Sequence, residues 1–266
     1  METGTGYEVN NSRWSIAGNL QGQSPNILSE LKFKEIASLG YYIKGSYLPF
    51  KFLKLKAYYK QSFTISGNGT DTDYKSDNRT NPTFDQTFKS DEGWHKVFKV
   101  GAGAPISLFR KIKVCPSVFY YQQNQKFYLL SSEEENLRSN YATTMQGVEF
   151  SLVSHIELGR YLYTSITINH RFVNYKAEAD WNLIDIFQHP LSFSHISNGY
   201  GSGVNIDFGG DLSETFSIVI GGMLDGSIIK NGIDTAYLIT GNEVPTQFNG
   251  AKNLMYGFKL GVYISI

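Results

Sequence analysis

The chain has 266 residues, enough for one large domain or two small ones, and its 24 Lys and Arg balance 24 Asp and Glu. A net charge of zero gives no nucleic-acid footprint, and one cysteine, Cys115, excludes an internal disulfide. Mean hydropathy is −0.27, and no apolar run approaches the roughly 18 residues of a spanning helix, which excludes a helical membrane protein but not a barrel. Met1 to Asn10 is mostly polar and shows no signal peptide, so the sequence reads as a mature form. Arg13 to Leu20 sets Trp14, Ile16 and Leu20 on one face, and Gln21 to Asn26 is a polar loop. Ile27 to Tyr47 then alternates for its whole length: Leu31, Phe33, Ala37, Leu39, Tyr41 and Ile43 against Glu30, Lys32, Lys34, Ser38 and Lys44, with Glu35 breaking the pattern. Leu48-Pro49-Phe50 is a tight turn. Lys51 to Ile65 returns with Leu53, Leu55, Ala57, Tyr59 and Phe63 against Lys54, Lys56 and Lys60.

Gly67 to Gly93 is rich in Asp, Asn, Thr and Gly and reads as a long polar loop. Strands follow at Trp94 to Ile106 and Lys111 to Leu130, joined by a short turn at Ser107 to Arg110. Ser131 to Thr143 reads as an acidic loop with a solvated tip at Glu133-Glu134-Glu135. Strands at Gln146 to Glu157 and Tyr161 to Ala179 are separated by a short turn, and a longer connection spans Asp180 to Pro190. Leu191 to Phe208 and Thr215 to Ile229 are again joined by a short turn, and Lys230 to Val244 is a longer loop. In the closing stretch Tyr256, Phe258, Leu260, Val262, Ile264 and Ile266 share one face, while Gly257, Lys259, Gly261, Tyr263 and Ser265 share the other. Twelve residues at about 3.3 Å each, tilted near 40°, rise about 30 Å, which matches a bilayer core.

Short and long connections alternate along ten such strands, which predicts an all-β fold: a single ten-stranded antiparallel transmembrane β-barrel in a bacterial outer membrane, with its long loops outside. Closure removes every free edge. The 18 Tyr and 18 Phe suit aromatic girdles at two membrane interfaces. The inward files Lys54, Lys56, Lys60, Glu30 and Glu149 read as charge pairs across the lumen, because interior charges must be paired or hydrated. Paired charges would plug the lumen and argue against a small-solute pore. His95, His155 and His170 read as lumen or interface residues, and Cys115 as a small filler.

Five features carry a family resemblance: Ile16-Ala17-Gly18-Asn19-Leu20-Gln21-Gly22, Ser29-Glu30-Leu31-Lys32-Phe33-Lys34, the Leu48-Pro49 turn, Asp71-Thr72-Asp73-Tyr74 followed by Asn81-Pro82, and the run from Val148 through Asp180. Together they make the chain resemble the omptins, ten-stranded outer-membrane endopeptidases of Gram-negative bacteria. The resemblance implies an acidic pair, Asp71 and Asp73, facing an Asp and a His across the barrel mouth. In the family the four hold the water that attacks the peptide bond. A carboxylate-polarised His accepts a proton near neutral pH, and two close carboxylates resist ionising together. The opposite half departs from the family's Asp-x-Asp-x-His. Here it reads Asp180-Trp181-Asn182-Leu183-Ile184, so Asn182 and Ile184 replace the Asp and the His. Asp185 and His189 just downstream are the candidates to supply those groups, and Asp180 and Asn26 match substrate-binding positions.

Two readings stay open. One is a cell-surface endopeptidase that uses Asp71, Asp73, Asp185 and His189. The other is a non-enzymatic surface barrel with an adhesion, binding or structural role. No cofactor or metal is expected; the oxygens of Asp71, Asp73 and Asp77 lack the spacing of a calcium loop. Outer-membrane lipid is the expected partner, with lipopolysaccharide as an activator by resemblance, alongside a peptide or protein substrate or a host surface component.

Overall fold

A computed structural model describes residues 1–131 and 135–265; Glu133, Glu134 and Ile266, named above, lie outside the described residues. Thirteen strand segments follow in order: β1 Glu2–Ile16, β2 Ser29–Phe50, β3 Leu53–Ser76, β4 Thr80–Lys89, β5 Gly93–Gly103, β6 Ile106–Phe109, β7 Ile112–Leu130, β8 Arg138–Glu157, β9 Leu162–Asp180, β10 Phe193–Asp211, β11 Phe216–Ile229, β12 Gly232–Tyr237 and β13 Glu243–Ile264. β1 pairs with β2 on one side and β13 on the other, so the antiparallel sheet closes into a ring. The segments β4, β5 and β6 occupy one ring position in succession, between β3 and β7. β11 and β12 share another, between β10 and β13. By position the ring therefore has ten strands.

Two-residue turns such as Lys51-Phe52 lie at the end that holds both termini, and the longer connections gather at the other, which we call the mouth. The outer wall is greasy where a bilayer would touch it: Phe258 is 64% exposed, Ile220 59% and Leu260 52%. Exposed apolar surface costs about 25 cal/mol per Å² in water, and a continuous belt of it marks a membrane contact.

The lumen is filled. Lys60 and His95 both hold Glu8, at 2.5 and 2.9 Å. Lys99 spans both oxygens of Glu149, and Arg171 forms a two-pronged pair with Asp225. Nearer the termini Lys44 and Lys259 hold Glu2 and Asp207. Above these ionic layers a lid of aromatic rings, among them Trp14, Phe33, Phe127, Tyr141 and Phe248, closes the lumen beneath the mouth.

Several expectations are corrected. Met1 to Asn10, read as mostly polar and assigned to no strand, supplies most of β1; its inward file carries Glu2 and Glu8, whose pairing with lysines hides the strand from a hydropathy reading. Gly67 to Gly93 is not a loop. It carries the upper part of β3, a one-turn 3-10 segment at Asp77–Arg79, and β4. Here water bathes the outer face, so no apolar alternation is required. Glu30 does not face the lumen; it faces outward, bonded to Arg79 and Lys32. The cause is a β-bulge in β2 between Lys34 and Ala37, where Glu35 adopts φ 53°. One extra residue reverses the faces, so Leu31 and Phe33 point inward above the bulge while Leu39, Tyr41 and Ile43 point outward below it. Lys56 reaches the Ser117 hydroxyl rather than an acid.

Candidate functional site

The upper end of β3 brings Asp71 and Asp73 to the mouth, opposite Leu31 and Ser29 of β2. Both belong to the inward file, because their β2 partners lie above the bulge. The Asp71 Oδ1 atom is buried without a hydrogen-bond partner. Its carboxyl pKa is pushed up to about 7 by burial and then by the neighbouring Asp73 carboxylate. The Trp181 indole and the Thr72 backbone N–H act in the opposite direction. Burial also raises Asp73, against a hydrogen bond from Ser29.

Trp181 follows the last residue of β9. Its backbone N–H donates to the Ser192 hydroxyl at 2.9 Å, and its ring meets Phe193 edge-on at 4.7 Å. The inward file of β9 runs through the buried Ala177 and Ala179, so it brings neither acid nor base to the pair on β3. Asp180 belongs by alternation to the opposite file, with the exposed Lys176 and Glu178. Its carboxylate bonds His189 Nδ1 at 2.6 Å. The two predicted residues are therefore brought together, but on the outward file of the wall. Asp185 is exposed in the loop and makes no hydrogen bond among the described residues.

Asn182, at the expected place of a catalytic Asp, ties the loop down. Its Oδ1 accepts from the Arg138 backbone N–H and the Ser139 hydroxyl, and its Nδ2 donates to the Asn136 carbonyl. Replacing Asn182 with alanine is expected to cost about 1–2 kcal/mol and to speed proteolytic nicking between residues 181 and 192. Unchanged nicking would show that the loop is held by other contacts. Asn26 is engaged likewise: its Nδ2 donates to Asn78 Oδ1, its Oδ1 accepts from the Asn78 backbone N–H, and its own backbone N–H donates to Asp77. Asp77 is thereby turned toward Asn26.

A His–Asp pair that sequence reading missed lies inside the mouth. His195 on β10 is fully buried, with Nδ1 2.9 Å from the Tyr141 hydroxyl and Nε2 3.1 Å from Asp234 Oδ1. Asp234 on β12 also accepts from the Thr246 hydroxyl. Phe248 stacks on the imidazole at 4.2 Å and Trp14 meets it edge-on at 4.7 Å. Burial lowers the His195 pKa, with Asp234 pulling the other way. The rings leave His195 with no exposed surface and Asp234 with 2%. Asp234 fell in a stretch read as loop, and no spacing in the sequence joins it to His195.

In fold the chain is similar to the outer membrane protease OmpT from Escherichia coli, with a TM-score of 0.74 at 12% identity, covering 99% of this chain and 96% of that one. The Pseudomonas putida toluene transporter TodX overlaps at a TM-score of 0.32 and 8% identity, covering 100% of this chain and 89% of that one. No curated protein matches the chain in sequence. A family model described as Pom, Protochlamydia outer membrane protein, matches residues 2–266. The closed ring, the greasy outer wall and that match together make this chain a bacterial outer-membrane β-barrel, and it belongs to the Pom family of Protochlamydia outer membrane proteins.

Proposed function

We propose that this barrel is a divergent, non-hydrolytic relative of the omptins, whose mouth binds a ligand rather than cutting it. One observation carries the reading: the carboxylate of Asp71 is met by the indole of Trp181, at the inward position where a base would have to stand. Activating a water needs a proton acceptor within hydrogen-bond reach of it. His189 is turned to the outward file with Asp180, and His195 is sealed under aromatic rings. Two close carboxylates with no base beside them instead suit a cationic group, which gains charge pairing from the acids. A basic side chain on a peptide, protein or host surface component is the ligand class with that chemistry.

The second reading, an omptin-like endopeptidase, draws support from Asp71 itself. With a pKa near 7 it can share a proton with Asp73 and orient a water, and it would need His189 of the loop, now bonded to Asp180, to turn inward as the base. One experiment separates the two. The purified barrel, in detergent with lipopolysaccharide to allow for lipid activation, is given a fluorogenic basic peptide, alongside an Asp71→Asn/Asp73→Asn variant. We expect no cleavage above background and peptide binding about tenfold or more weaker in the variant. Cleavage that the double substitution abolishes would overturn the binding reading and establish the hydrolytic one.

A further inference from the structure

We infer that the barrel associates in the membrane plane with a second copy of itself, through a strip of isoleucines on the outer wall above the bilayer. Ile196 of β10 lies directly opposite Ile233 of β12. Both belong to the outward file, since their buried neighbours His195 and Asp234 point into the mouth. Six residues along the chain from Ile233, about 20 Å at 3.3 Å each, alternation returns the same face at Ile239. The 181–190 loop supplies its neighbour: Phe187 bridges Leu238, so Ile186 stands across from Ile239. All four isoleucines are more than half exposed. Between the two aliphatic rungs lies a polar one, in which Ser194 faces Thr235 and meets the Tyr237 hydroxyl at 2.9 Å.

The upper rung is fixed by the backbone. The Ile239 N–H donates to the Ile186 carbonyl at 2.9 Å, and the Gln188 N–H to the Tyr237 carbonyl at 2.8 Å. The Gln188 side chain adds a bond from Nε2 to the Leu238 carbonyl. Lower on β10 the exposed Tyr200, Ile206 and Phe208 belong to the lipid-facing belt. The strip begins level with Lys176, the partner of Ile196 on β9, and climbs away from the bilayer. Exposed apolar surface beyond the reach of lipid marks a protein contact. The strip faces sideways, so its partner stands beside the barrel in the same membrane. The bilayer holds a second copy at the same height and the same way up. A two-fold axis along the membrane normal then sets each rung against itself, isoleucine on isoleucine and hydroxyl on hydroxyl. The charges at the β9 edge are already paired within the chain, Lys176 with Glu178 and Asp180 with His189, both at 2.6 Å, so that edge adds little repulsion between identical surfaces. The contact is independent of the chemistry proposed for the mouth.

The test measures the mass of the full-length barrel in detergent micelles by light scattering over a dilution series, each variant first checked for closure by heat-modifiable gel migration. The wild type is expected to hold two chains at high concentration and to separate on dilution. Ile186→Lys/Ile239→Lys changes only exposed side chains and should weaken association about tenfold or more. Ile196→Thr/Ile233→Thr keeps the β-branched shape, removes apolar surface and should weaken it by less. A second measurement uses lipid vesicles and copper phenanthroline as oxidant. Cys115→Ser/Ile239→Cys should form a disulfide-linked dimer, because the two-fold brings the strip against its own copy. Cys115→Ser/Lys75→Cys, exposed on β3 at the far side of the ring, should not. A wild type that stays a single chain at every concentration would overturn the contact. So would a dimer that both isoleucine variants leave intact, or one that residue 75 cross-links as readily as residue 239, since either result places the contact on another face.

Discussion

Replacing Arg171 with methionine is expected to lower the unfolding free energy by about 2–3 kcal/mol, below the cost of orphaning a fully buried charge because the Asp225 side chain keeps 26% of its surface exposed. Arg171 is 1% exposed. Its two terminal nitrogens reach both oxygens of Asp225, at 2.7 and 2.5 Å, over the intervening strand β10. The guanidinium lies 4.9 Å from the Tyr121 ring centre and packs so closely on Gly201 that a Cβ there would come within 2.7 Å of it. Methionine keeps the bulk and removes the charge, which leaves the Asp225 carboxylate, 26% exposed, without its partner. The pair Arg171→Met/Asp225→Leu removes both charges and is expected to recover most of the loss, because a well-packed apolar pair does about as well as a buried ionic one. Urea unfolding followed by tryptophan fluorescence in lipid vesicles measures all four corners of the cycle. Were the single and double variants equally damaged, the cost would come from lost packing around Gly201 and Tyr121, not from a stranded carboxylate.

That cycle probes what the sequence conveyed least directly. Period-two alternation was plain in the closing strand, where Phe258, Leu260 and Val262 face outward as the pattern required. It was plain too that lumen charges must find partners. Which partners they find depends on how the ring closes: Glu8 and Lys60 are 52 residues apart and meet only because β1 lies beside β2 and β2 beside β3. The bulge at Glu35 was the larger obstacle. A single additional residue reverses the faces of β2, so Leu31 and Phe33, read as companions of Leu39, instead build the aromatic lid. At the mouth, Asp71 and Asp73 were legible as a pair because both lie on one strand. Trp181 was legible only as the neighbour of Asp180, since its role depends on which way β9 sends its last side chains. The His195 and Asp234 pairing was illegible, because β12 has only six residues and fell inside a stretch that reads as loop.

The Asp71 carboxyl turns the mouth into a measurable pH dependence. Its pKa in the folded barrel is about 7, against 3.8 for a free aspartate. Between those two values the folded state keeps a proton that the unfolded chain has already lost. Stability from this group is therefore fully present below about pH 4 and falls by about 1.4 kcal/mol per pH unit as the pH rises through 7, for a loss of at most about 4 kcal/mol. Asp71→Asn retains the shape and removes the titration, so it should raise the urea midpoint at pH 8, leave it nearly unchanged at pH 4 and flatten the slope between. Asp73→Asn removes only the second cause of the shift, the neighbouring charge, and leaves burial in place; it should move the sloping region toward lower pH without abolishing it. Trp181 fluorescence, read in the folded barrel, should follow the same titration, because the indole faces the carboxylate that ionises. If Asp71→Asn instead destabilises the barrel at both pH values, the carboxylate is held by contacts strong enough to keep it charged. A Trp181 signal that ignores pH between 5 and 8 would separate the indole from the acid, and with it remove the observation on which the proposed binding role rests.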